Sequence, residues 1–134
     1  MSKHIDIADS VVAALQAGGI AARRVWAPTY EAALLTAGLA MVVPSGSEIE
    51  RGDRSEWFET VSIQVAYFQR VTAGDMAAMD KASEVLDTIR GLLLAADITD
   101  ASLDEITSIV PFDVQRASEG VYAGSMTAVY QVMA

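Results

Sequence analysis

His4 is the only histidine in the chain and so its only side chain that ordinarily titrates near neutral pH. It stands beside Lys3 at a chain end, where frayed backbone seldom holds an imidazole still enough for acid–base work. A Ser-His-Asp triad would have to recruit the same residue, so that possibility falls with it. There is no cysteine, which removes thiolate nucleophiles, disulfides, cysteine-ligated zinc and iron–sulfur clusters together.

The carboxylates Asp97, Asp100, Asp104 and Glu105 supply hard oxygens of the kind calcium prefers. They lack the Asp-x-Asp-x-Asp-Gly spacing of an EF-hand loop. Helix-end and turn carboxylates, with Ser102 and Glu105 as a small capping box, explain the cluster more simply. With 18 acidic residues some pair is always close, so a glycosidase-like carboxylate pair carries no signal. No Gly-x-Gly-x-x-Gly or Walker-type loop is present, and Gly18-Gly19 and Gly46 read as turns. Arg51-Gly52-Asp53 matches an integrin-binding tripeptide by chance in an acidic domain. The residue chemistry thus points to no catalytic group, no metal and no cofactor.

Charge narrows the partners. Nine basic against 18 acidic residues give a net charge of −9 over 134 residues, a field that repels nucleic acid. Only Arg23-Arg24 are adjacent basic residues. The longest apolar run, Ala32 to Val43, has twelve residues and closes at Pro44, short of the about 20 a membrane helix needs. Asp6 and Asp9 interrupt the N-terminal apolar residues, so no secretory signal is expected, and a cytosolic protein is the plain reading. The length suits one domain, 1–134. Apolar residues make up 52 % of the chain, but 23 of them are alanine, leaving enough larger ones for a modest two-layer core.

The elements follow from periodicity. Ile5, Ala8, Val11, Val12 and Leu15 recur at helical spacing from Ile5 to Ala17, with Asp6 as N-cap and Gly18-Gly19 as the stop. Ala22 to Ala27 reads as a short strand and Tyr30 to Leu35 as a helical turn. Leu39 to Val43 reads as a strand stopped by Pro44, and Glu48 to Asp53 as a hairpin arm. Trp57 to Val71 alternates strictly enough to be a half-buried antiparallel strand, with Trp57, Val61, Ile63, Val65, Tyr67 and Val71 inward. At fifteen residues it is long for a strand and predicts an arm beyond the domain body.

A capping box at Thr72 to Asp75 opens a helix to about Ala96, with Met76, Met79, Ala82, Val85, Leu86, Ile89, Leu92 and Leu93 as its apolar stripe. Glu105 to Arg116 reads as a strand burying Ile106, Val110, Phe112 and Val114. Val121 to Met133 follows, with Tyr122, Met126, Ala128, Tyr130 and Val132 inward. The order predicts an α+β fold: an antiparallel or mixed sheet, two helices on one face and a long β-hairpin arm.

Between the second and third strands, Glu48, Glu50, Arg51, Asp53 and Arg54 form a mixed-sign charged hairpin leading into Trp57 and Phe58. Charges of this kind set register between subunits more than they add affinity. On the other face of the long strand, Phe58, Ala66 and Phe68 are apolar, either packed locally or covered by a neighbour.

This order of landmarks resembles phage tail-terminator and tail-completion proteins, a family of minor tail and neck proteins. The likeness lies in the opening amphipathic helix (Ile5-Asp6-Ile7-Ala8-Asp9-Ser10-Val11-Val12), the strand ending Met41-Val42-Val43-Pro44 and the charged loop Glu50-Arg51-Gly52-Asp53-Arg54. It continues in the alternating strand Val61-Ser62-Ile63-Gln64-Val65-Ala66 and the closing strand Val121 to Tyr130. The resemblance implies a non-enzymatic virion protein forming a homo-oligomeric ring, typically of six subunits, at the head-proximal end of the tail. Its partners would be copies of itself, the tail tube protein and the head–tail connector, in the host cytoplasm during assembly and then in the virion. Glu48, Glu50, Arg51, Asp53, Arg54, Trp57, Phe58 and Phe68 are then the expected contact residues. The alternative is a small α+β enzyme or ligand-binding domain with a pocket between sheet and helices.

Overall fold

The computed structural model describes residues 3–26, 38–51, 57–72, 75–98, 101–110 and 120–133; at 3, 47–51, 57, 58, 108, 110 and 133 it describes the backbone alone. The elements are α1 (Lys3–Ala17), β1 (Ala22–Arg24), β2 (Leu39–Arg51), β3 (Trp57–Arg70), α2 (Met76–Ala95), β4 (Ser102–Val110) and β5 (Val121–Met133). The strands form one sheet in the order β1-β2-β3-β5-β4. β1 is parallel to β2 and the other neighbours are antiparallel, so the sheet is mixed. Both helices pack on one face, and the α+β class expected from periodicity is the class observed.

Alternation in β3 decides which face that is. Val61, Ile63, Val65 and Tyr67 are buried beneath the helices with Tyr122, Met126, Ala128, Tyr130 and Val132 of β5, the inward sets read from the sequence. From α1 come Ile7, Ala8, Val11 and Leu15, and from α2 Ala82, Leu86, Ile89 and Leu93. Two helix positions differ from expectation. Met76 is 77 % exposed, because it lies in the first turn of α2, ahead of the stripe that meets the sheet. Ile7 is buried while Ile5 is half-buried, since α1 starts at Lys3 and its buried stripe includes Ile7. Asp6 is therefore inside the first turn of α1 rather than its N-cap.

The helix ends are specified locally. Asp75, rather than Thr72, caps α2: its Oδ1 accepts from the Ala78 N–H at 3.1 Å. At the end of α1, Ile20 N donates to the Leu15 carbonyl (2.9 Å) and Gly19 N to that of Gln16 (3.0 Å), with Gly19 at φ 86°. This is a Schellman motif, and the Leu15–Ile20 apolar contact that usually accompanies it belongs to the core.

Three strand boundaries correct the sequence reading. Pro44 does not stop β2, which continues to Arg51. Ala40 N donates to Ala21 O and Val42 O accepts from Val25 N, so even-numbered residues here turn their backbone polar groups toward β1. Pro44 is the next in that series. Its missing N–H ends the parallel ladder with β1, while pairing with β3 on the other side survives. The register then shifts by one residue between Pro44 and Gly46, where Ser45 Oγ donates to the Ser62 carbonyl at 3.0 Å.

Similarly, β1 ends at Arg24 rather than Ala27. β4 begins at Ser102, so Ser102 and Glu105 are strand residues and cap no helix. A register shift between Leu103 and Glu105 lets both Leu103 and Ile106 pack on the core despite their odd spacing. The expected helical turn at Tyr30 to Leu35, and Phe112 and Val114, lie outside the described residues.

Two glycines test the account. Gly19→Ala places a side chain at positive φ and is expected to cost about 1 kcal/mol. Gly38 combines φ 83° with a position where a Cβ would overlap the Tyr67 hydroxyl. Gly38→Ala is expected to lower the urea midpoint clearly more than Gly19→Ala; equal shifts would contradict the packing of Tyr67 on Gly38.

Candidate functional site

The β2–β3 hairpin carries most of the expected contact residues. β3 has 14 residues, about 46 Å at roughly 3.3 Å per residue, whereas α1 and α2 with 15 and 20 residues reach about 22 and 30 Å. β5 nonetheless pairs with β3 from Phe58 to Arg70, and Val61 and Val132 near the far end are buried in the core shared with the helices, so the long strand is part of the sheet and not the arm beyond the domain body expected from its length. Pairing with β2 holds out to Arg51 opposite Trp57, with Glu50 opposite Phe58 and Glu48 opposite Thr60. Five of the expected contact residues, Glu48, Glu50, Arg51, Trp57 and Phe58, are thus gathered at one end of one hairpin. Asp53 and Arg54 lie outside the described residues. Past Val42 no described strand pairs with the outer side of β2, and Ser45 and Gly46 are exposed.

Phe68 belongs elsewhere. It is 6 % exposed, on the sheet face away from the helices, clustered with Met41, Ala66, Val121 and Ala123. Of the two readings open for Ala66 and Phe68, local packing holds: each is already buried within its own chain, leaving little surface for a neighbour.

Between sheet and helices the described core holds no buried charged group, but three tyrosines enter it. Tyr67 donates to Gln69 Oε1 at 2.9 Å, and its hydroxyl pKa is raised by burial and then by Tyr122. Burial also raises Tyr122, opposed by a hydrogen bond with Ser83 and reinforced by the charge of Asp87. Tyr130 is 1 % exposed and its hydroxyl has no hydrogen-bond partner among the described residues; burial alone pushes its pKa up to about 12. An unsatisfied hydroxyl of this kind costs about 1–3 kcal/mol.

A constellation the sequence reading passed over lies at the β1 edge. Trp26, just past β1, is 62 % exposed. The Arg24 guanidinium sits 5.5 Å from its ring centre, and His4 meets it edge-on at 6.4 Å. Arg24 Nε in turn donates to Asp9 Oδ1 at 2.7 Å. So exposed an ion pair adds at most about 1 kcal/mol, and its main effect is to orient the guanidinium over the indole. His4 is a half-buried member of α1 rather than a frayed end, and its ring is used in packing. Arg23-Arg24 beside Trp26 is a visible signal in the sequence; Asp9 and His4 come from α1 and could not be placed beside them without the fold.

The acidic cluster is dispersed. Asp97 follows α2, Asp104 and Glu105 are exposed on β4, and Asp100 lies outside the described residues. Among the described residues no group of three or more His, Asp or Glu could hold a metal ion. No described helix is long and apolar enough to cross a membrane. No protein-family model matches the chain, and no curated protein matches it.

Tyr130→Phe removes the unsatisfied hydroxyl while keeping the ring, and is expected to leave stability unchanged or raise it by about 1 kcal/mol. The unfolded tyrosine ionises near pH 10 and the folded one near 12. The wild type therefore loses stability as pH rises through that window, and the Phe variant is expected to lose less. Urea titrations at pH 8 and pH 11 check both signs.

Proposed function

We propose that this chain is a structural protein of a phage or prophage tail that assembles as a ring at the head-proximal end, ending tube polymerisation and docking to the head connector. The observation that carries the reading is the β2–β3 hairpin, which keeps its pairing out to Arg51 opposite Trp57 and gathers charged and aromatic positions at that end. A chain that acts by assembly needs a contact element, and a hairpin end carrying charged and aromatic positions supplies one. The resemblance of the order of landmarks to the tail-terminator family supports the same reading, as does a net charge of −9, which disfavours direct nucleic-acid binding.

The competing reading, an enzyme or binding domain with a pocket between sheet and helices, is less well supported. That layer is occupied by Ile63, Leu86, Ile89 and Leu93, each 2 % exposed or less, and a ligand would have to displace them.

Arg51→Glu together with Arg54→Glu is expected to leave the melting temperature nearly unchanged. The same double variant is expected to lose assembly in size-exclusion chromatography. Unchanged assembly would make the loop a solvated hairpin. The genes beside this one give an independent check: portal, capsid and tail-tube genes are expected, and a metabolic operon would contradict the reading.

A further inference from the structure

The two outer strands of the sheet, β1 and β4, carry opposite charge and each presents an exposed large apolar side chain. Among the described residues only Trp26, Met76, Leu94 and Ile109 are large, apolar and exposed. Trp26 lies just past β1 and Ile109 near the end of β4, on opposite edges of the sheet. Beside Trp26 are Arg23, which is exposed, and Arg24; nearer the start of Ile109's strand, about 13–17 Å from it, are the exposed Asp104 and Glu105.

The row through Arg24 runs across Val42, Val65 and Met126, and Met126 falls between the β4 pairings of Thr107 and Val110, so Arg24 is level with Ile109, whereas Glu105 pairs with Val129, three residues farther along β5.

From this we infer that two copies of the chain dock head to tail, the Trp26–Arg23–Arg24 edge of one against the Asp104–Glu105–Ile109 edge of the next. The inference rests on the ring reading only in that the chain self-associates; the surfaces come from charge and exposure. Like charges oppose β1 against β1 and β4 against β4, so a twofold pairing through either edge is disfavoured. Unlike surfaces on opposite edges propagate from copy to copy, which is the geometry that closes into a ring.

The contact is made through side chains. The outward carbonyl of Ala22 already accepts from Gln16 Nε2 at 3.0 Å, which blocks that position to a backbone ladder from a neighbour. Trp26, held by Arg24 and His4, is the anchor, a residue type enriched where interfaces concentrate their energy.

A chain without cysteine allows a clean test. Ala21 is exposed just before β1, and Ala21→Cys leaves Trp26 and both arginines intact. It is purified separately from Ile109→Cys, and the two are treated with a short bismaleimide, alone and mixed. Edges four strand spacings apart, about 19 Å, are too distant to be bridged within one chain by a short linker. The expected result is a cross-linked dimer in the mixture, several-fold above that in either variant alone, and lost when the Ala21→Cys chain also carries Trp26→Ala. Arg23→Glu is expected to reduce the yield several-fold, with recovery on adding Glu105→Arg to the partner.

Cross-linking no greater in the mixture than in the single variants, with the wild type associating by light scattering, would overturn this docking and leave the ring reading standing. A wild type that stays monomeric at every concentration would overturn both.

Discussion

The fold depends on β3 being hydrogen-bonded on both flanks in a single register. It pairs with β5 from Phe58 to Arg70 and with β2 from Trp57 to Phe68, so every other element is placed by reference to it. A slip of one residue would exchange Val61, Ile63, Val65 and Tyr67 on the helix-covered face for Ser62, Gln64, Ala66 and Phe68. Burying an aliphatic or aromatic side chain is worth about 1.5–3 kcal/mol, so such a slip would forfeit much of the stability of a domain this size. With β3 and its partner β5 fixed, the strands outside them accommodate misfits by bulging. The shift after Pro44 in β2 and the shift at Asp104 in β4 are both of this kind.

That dependence explains what can be read from sequence. β3, α2 and β5 are legible because each carries one period for more than ten residues, and their inward residues are the core. The stop of α1 is legible because the two glycines are a local signal with a local cause. Pro44 misleads because its effect is one-sided: it ends pairing with β1 but not with β3, and a sequence does not reveal which side a strand's donors face. The start of β4 is hidden because a bulge puts Leu103 and Ile106 on one face, breaking the alternation by which strands are recognised.

The candidate site divides in the same way. Charged and aromatic residues at the end of the β2–β3 hairpin are visible as a cluster, since they are close in sequence and their pairing is local. Phe68 looks like surface by its place on the second face, and is buried because Met41, Val121 and Ala123 converge on it from strands distant in sequence. The patch at Trp26 is invisible for the reverse reason: Asp9 and His4 reach it only through the packing of α1 beside β1. The self-association proposed above draws on two places in the fold, the end of the β2–β3 hairpin and the oppositely charged β1 and β4.

The claim that this chain works by assembling with itself is tested most directly by its mass in solution as a function of concentration. Multi-angle light scattering on the wild-type chain is expected to show one closed species at a fixed multiple of the 14.2 kDa monomer, reached without a continuum of larger forms. A mass of one chain at every concentration, or unlimited growth with no preferred size, would contradict the account.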